Sequence, residues 1–147
     1  MRHPLPGTAD ERSVVHRTEI IVSVADEPPI PLPAELRYDM SDPYAVRLSL
    51  GAPGAPSVDW VFARSLLADG LRRSAGIGEV VVIPPHRCHP DTLRILLRTR
   101  TGAAVLEVGI HAVTAFLRRT DTMVPPGTEH RHLDLDGVVA RLTSGGA

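Results

Sequence analysis

The residues able to do chemistry gather in two histidine-bearing segments. His86, Cys88 and His89 fall within PPHRCHP, and His130 and His132 follow Glu129 in GTEHRH. Imidazole and thiolate groups are zinc ligands, and four of them would complete a tetrahedral site. The spacing argues against such a site. Cys88 and His89 are adjacent and would have to converge from opposite directions, and a lone cysteine matches no finger or knuckle pattern. Solvated loop histidines and no metal are the expectation. Glu129 beside His130 reads as a surface pair rather than a general base with its orienter. Asp134 and Asp136 read as a helix cap and an exposed first-turn carboxylate, stabilised by the helix N-terminus.

Phosphate and acyl chemistry find no purchase either. Gly76-x-Gly78 lacks the further glycine and helix start of a dinucleotide fingerprint, and Gly51-x-x-Gly54 is a proline-bearing loop. All 16 basic residues are arginine, so a Walker lysine is absent, and there is no Gly-x-Ser-x-Gly elbow. No catalytic residue and no cofactor is expected, and a binding or scaffolding role is favoured over catalysis. For contact with a partner, the residues of choice are the arginines read as exposed: Arg64, Arg118, Arg119 and Arg131. A guanidinium forks onto acidic surfaces, although such residues are equally at home on a solvated face.

These side chains must be positioned by a frame whose centre is Trp60 to Leu71, WVFARSLLADGL. Trp60 and Phe62 share one strand face, with Val58 upstream and Val61 opposite. The period then changes: Phe62, Leu66, Leu67 and Leu71 fall at helical spacings. A strand running into a short amphipathic helix is predicted, with Trp60, Phe62 and Leu66 in the core. Gly70 and the run from Arg72 to Gly76 end the helix.

Upstream, strands are predicted over Val14–Val24, Glu35–Tyr38, Tyr44–Leu50 and Ser57–Phe62. Downstream, Glu79–Ile83, Thr92–Thr99 and Ala103–Val108 read as strands, the last two as a hairpin turning at Thr101 and Gly102. A second helix spans His111–Thr120 with Val113, Phe116 and Leu117 inward. A long connection follows around VPPGTEH. A last helix is expected with the stripe Leu135, Val138, Val139, Leu142. The order ββββ-α-βββ-αα argues for an α+β fold of antiparallel sheets with packed helices, not a βαβ nucleotide fold.

Composition bounds the remaining classes. The 147 residues suit one domain, here residues 13–143, with flexible tails at 1–12 and 144–147. The net charge of -1 gives no bulk electrostatic reason to bind nucleic acid or an anionic membrane. With Trp60, Phe62 and Phe116 in the core, only Tyr38 and Tyr44 are left to stack bases, too few unless they lie side by side. Arg72, Arg73, Arg118 and Arg119 would make a local basic patch. The N-terminal stretch lacks an apolar signal region, and no stretch approaches the ~18 uninterrupted apolar residues of a membrane span. A cytoplasmic location is expected.

Three segments carry a resemblance: LPAELRYDMSDPYAVRLSL (Leu32 to Leu50), WVFARSLLADGL (Trp60 to Leu71) and AFLRRTDTMVPPGTEHRHLDLD (Ala115 to Asp136). In content and order they resemble the SsgA-like sporulation and cell-division proteins of filamentous actinomycetes. The likeness runs from about Val14 to Leu142, and the arginine-only basic residues suit a high-GC genome. The resemblance implies a small, non-catalytic cytoplasmic adaptor of sporulation-specific division, acting at the septum. It implies a fold similar to the Whirly-type single-strand-binding proteins, assembled as a trimer. The partners it implies are other septal division proteins: SsgA-like paralogues and, for part of the family, the tubulin-like division GTPase FtsZ. Single-stranded nucleic-acid binding, suggested by the Whirly-like fold, is the alternative.

Overall fold

The computed structural model describes residues 12–51 and 56–133. The strands are β1 (Ser13–Val24), β2 (Ile30–Asp39), β3 (Ala45–Leu50), β4 (Val58–Ala63), β5 (Val80–Ile83), β6 (Thr92–Thr99) and β7 (Gly102–Gly109). Helix α1 (Arg64–Asp69) follows β4 without a break, and helix α2 (Ile110–Met123) follows β7 in the same way. A 3-10 turn covers Glu129–His132. Of the tail expected at 1–12, residues 1–11 lie outside the described residues, as do the expected last helix and the C-terminal tail. So do Asp134 and Asp136.

All seven strands join one antiparallel, nearly closed sheet in the order β4-β3-β2-β1-β7-β6-β5. Alternation decides which face is buried. On β3, Val46, Leu48 and Leu50 are buried while Arg47 is exposed. On β6, Leu93, Ile95 and Leu97 point to the same interior. Cross-strand partners agree: Leu36 sits opposite Leu48, Val22 opposite Leu106, and Ile95 opposite Leu106 on the other side. Period-2 patterning with one buried face fixes this register, because a slip by one residue would turn every apolar side chain outward.

Strand β2 begins five residues earlier than its sequence signal, despite Pro31 and Pro33. Residues 30–33 pair with β1, whereas the pairing with β3 starts only at Ala34. On that side the Pro33 carbonyl accepts the Gly51 N–H at 3.1 Å, a bond that needs no N–H from the proline, and the edge of a pairing is where a strand tolerates proline.

Helix α2 packs across β1, β7 and β6, with Val113, Phe116 and Leu117 buried. It runs three residues beyond the predicted Thr120 and stops at Met123. Val124 then adopts an extended conformation (φ -137°, ψ 97°), as expected for the residue before Pro125. Helix α1 is held close to β5 at Gly70. A Cβ placed there would lie 2.1 Å from Val82 Cγ1. Gly70 is thus kept by close approach, with an ordinary right-handed φ of -63°, and not by a left-handed helix cap.

The core differs from expectation at its edges. Phe62 is buried, but Trp60 on the same face is only partly so, and Val58 is 59% exposed. Beyond Phe62 the face runs out into an open apolar groove of 490 Å³ at Trp60, Leu50 and Val22. Leu66 is likewise partly buried, and its neighbour Leu67 is the fully buried residue of α1. No helix among the described residues is long and apolar enough to cross a membrane.

Candidate functional site

The strongest departure from the sequence reading is Arg64. It was expected on the surface, and it is 3% exposed. As the first residue of α1 it inherits the direction of β4, and its backbone N–H donates to the Tyr44 carbonyl at 2.8 Å. From there the side chain passes inward to the C-terminal end of α2. Nη1 donates to the carbonyls of Thr120 (3.1 Å) and Val124 (2.8 Å), with longer contacts to Thr120 Oγ1 and Asp121 Oδ1, both 3.4 Å. The Thr120 carbonyl also accepts the Val124 N–H at 2.8 Å, and the guanidinium adds a charge-assisted bond to it and to the Val124 carbonyl just past the helix end.

Nη2 donates to Glu129 Oε2 at 2.7 Å. The other Glu129 oxygen accepts the Gly127 N–H at 2.8 Å, which fixes the turn through Pro125, Pro126 and Gly127. Glu129 was read as a surface companion of His130. Its side chain is only 15% exposed, and its partner is Arg64. The hydrogen bond from Arg64, helped by backbone N–H groups of the turn, holds its carboxyl below the ordinary value.

The guanidinium carbon lies 4.9 Å from the centroid of the Tyr38 ring, a cation–π contact inside the protein. The Tyr38 hydroxyl donates to the Pro43 carbonyl at 2.9 Å. Burial pushes the phenol up to about 12, against an opposing pull from Arg64. Tyr38 is 1% exposed, whereas Tyr44 is 50% exposed. The two tyrosines therefore offer no common stacking surface.

Sequence signals for this hub were present. Arg64 and Leu67 lie three apart, so Arg64 shares the apolar face of α1. A cation in the first turn of a helix also opposes the helix dipole, which calls for acceptors from elsewhere.

The other arginines divide differently. Arg119 is exposed, yet Nη1 donates to the Val15 carbonyl of β1 at 3.0 Å, so it pins α2 to the sheet. Arg118 is exposed on α2, and Arg131 is exposed in the 3-10 turn. Arg118 lines a crevice of 440 Å³ between α1 and α2, together with Arg72 from the residues following α1.

The histidine loops do not combine. His86 and His89 exchange both backbone hydrogen bonds in a tight turn (2.9 and 3.3 Å), with their rings edge to face. His86 Nδ1 accepts the Cys88 N–H at 3.3 Å. Among the described residues, no three His, Cys, Asp or Glu side chains gather as a metal-holding cluster.

Arg64 therefore ties together the three resembling segments: Tyr38 from the first, Arg64 from the second, and Thr120 to Glu129 from the third. Comparison with known proteins covers the same span. A family profile described as "Streptomyces sporulation and cell division protein, SsgA" matches residues 32–129. The sporulation-specific cell division protein SsgB of Streptomyces coelicolor is 49% identical over 119 residues, spanning 81% of this chain and 87% of that protein. SsgB of Kineococcus radiotolerans is 44% identical over 144 residues, 92% of this chain and 87% of its own. The crystal structure of the SsgA-like sporulation-specific cell division protein from Thermobifida fusca superimposes with a TM-score of 0.78 at 32% identity. That match covers 88% of this chain and 94% of the other. Fold and sequence agree, and the chain belongs to the SsgA-like family of sporulation and cell-division proteins.

Proposed function

We propose that this protein is a non-catalytic adaptor of sporulation-specific cell division that helps select or build septum sites, with recruitment of FtsZ as its action. The observation that carries this reading is the match to SsgB proteins over most of the chain. The hub chemistry supports it. Tyr38 is held protonated and Glu129 is held ionised, so neither is tuned to exchange a proton near neutral pH. Their bonds instead make a rigid platform from distant segments. The protein acts in the cytoplasm at the division septum, on septal partners that include SsgA-like paralogues. It acts as a homo-oligomer, a trimer by family resemblance. The open apolar groove at Trp60, rimmed by the exposed side chains of Val24 and Val58, supports self-association.

The test is co-sedimentation with GTP-assembled FtsZ from the same organism, with a single-stranded oligonucleotide as control ligand, alongside septation in a null strain. Specific pelleting, no oligonucleotide binding and a septation defect corrected by the gene are expected. Normal septation in a null strain lacking redundant paralogues overturns the adaptor reading. Salt-sensitive oligonucleotide binding without pelleting would put nucleic-acid recognition in its place.

A further inference from the structure

We infer that the crevice between α1 and α2 is the docking site for a short acidic peptide segment of a partner protein, one carrying apolar side chains between its carboxylates. This rests on the adaptor reading and gives that adaptor a face. The crevice is lined by the apolar side chains of Ala68, Leu71 and Leu117, by Thr114 and Thr122, and by Arg72 and Arg118. Both arginines are exposed, and among the described residues neither side chain makes an ion pair or hydrogen bond.

The charge balance inside the crevice is uneven. Asp121, the carboxylate that shares it, is drawn to Arg64 beneath, at 3.4 Å. Arg119 and Arg64 are committed to the fold, so Arg72 and Arg118 are the cations left to face outward here. Two free guanidinium groups beside the side chains of Leu71 and Leu117 suit carboxylates with an apolar residue between them. A nucleic-acid strand is a poorer fit. Among the described residues no aromatic ring lines the crevice.

The experiment uses the full chain and a labelled peptide repeating Asp-Leu-Glu. Controls are the isosteric Asn-Leu-Gln repeat and a labelled oligo-dT, all read by fluorescence anisotropy. The protein should bind the acidic peptide and not the neutral one. Reversing both arginines, Arg72→Glu with Arg118→Glu, should weaken binding about tenfold or more. Reversing two exposed arginines on the sheet, Arg47→Glu with Arg98→Glu, should leave it within about twofold at 150 mM salt, where distant charges are screened.

Equal loss in both double variants, undiminished binding in the crevice variant, no binding of the acidic peptide, or tighter binding of oligo-dT each overturns the inference. Arg118→Gln, which removes one charge without adding a carboxylate, provides the same reading should the reversal variant not fold. Because the peptide result is read on purified protein, it decides the crevice independently of septation in a null strain, which decides the adaptor reading.

Discussion

Arg64 Nη2 and Glu129 Oε2 meet at 2.7 Å across 65 positions of sequence. The bond closes a hub in which one buried cation serves the end of α2, the turn after it and the face of Tyr38. Removing the cation alone is the most damaging change available there. Arg64→Ala should cost about 3–5 kcal/mol, because it leaves the half-buried Glu129 without its cation and the Val124 carbonyl without its guanidinium donor. Glu129→Gln keeps one acceptor and should cost less, about 1–2 kcal/mol. Urea denaturation of the two variants checks both the size and the order.

Glu129 also gives the protein a signature in acid. The Arg64 hydrogen bond lowers its folded pKa. The stabilisation is therefore present above the unfolded carboxyl value and is lost as pH falls through the depressed folded value. Between neutral pH and about pH 3, the urea midpoint of the wild type should fall more steeply than that of Glu129→Gln. Parallel slopes would show that Glu129 is not coupled to folding.

Tyr38 predicts the opposite limb. Its phenol is raised to about 12 by burial. The folded state thus favours the protonated ring, and this contribution is complete below about 10 and lost as pH rises through the folded value. Tyr38→Phe should flatten the alkaline loss of stability. At neutral pH it should cost about 1 kcal/mol for the bond to the Pro43 carbonyl.

Gly70 separates packing from propensity. Helix propensity alone would favour alanine there by about 1 kcal/mol. Contact with Val82 predicts the reverse, a loss of about 1–3 kcal/mol from overpacking. Val82→Ala removes the Cγ1 but keeps the Cβ, 2.5 Å from the added methyl, so in that background the substitution should still destabilise but by less, and a thermal double-mutant cycle will show the difference as non-additivity.

Aromatic truncation distinguishes the interior from the groove. Phe116 is fully buried, so Phe116→Ala should cost about 3–5 kcal/mol. Trp60, partly open to the groove, should cost clearly less despite its larger ring. Equal costs would mean that Trp60 is covered in solution, which a concentration-dependent midpoint would trace to self-association.

Much of this protein was readable from its sequence because the signals are local. The alternation in AVRLSL and TLRILL states which face of β3 and β6 is buried. The apolar spacing of Val113, Phe116 and Leu117 states which face of α2 packs. Pro125 bounds the helix through the residue before it. The three segments that mark the family are also contiguous. The tertiary structure alone decided the rest. It set β1 beside β7 and let β2 run through its prolines beyond the stretch that pairs with β3. It left Trp60 half open, and it turned Arg64 from an expected surface cation into the centre of the fold. The physical reason is the same in each case. A strand or helix period reports only which face is apolar, whereas burial of a charge is settled by its acceptors. Those of Arg64 lie 56 to 65 residues away and reach it only when the sheet and α2 have come together.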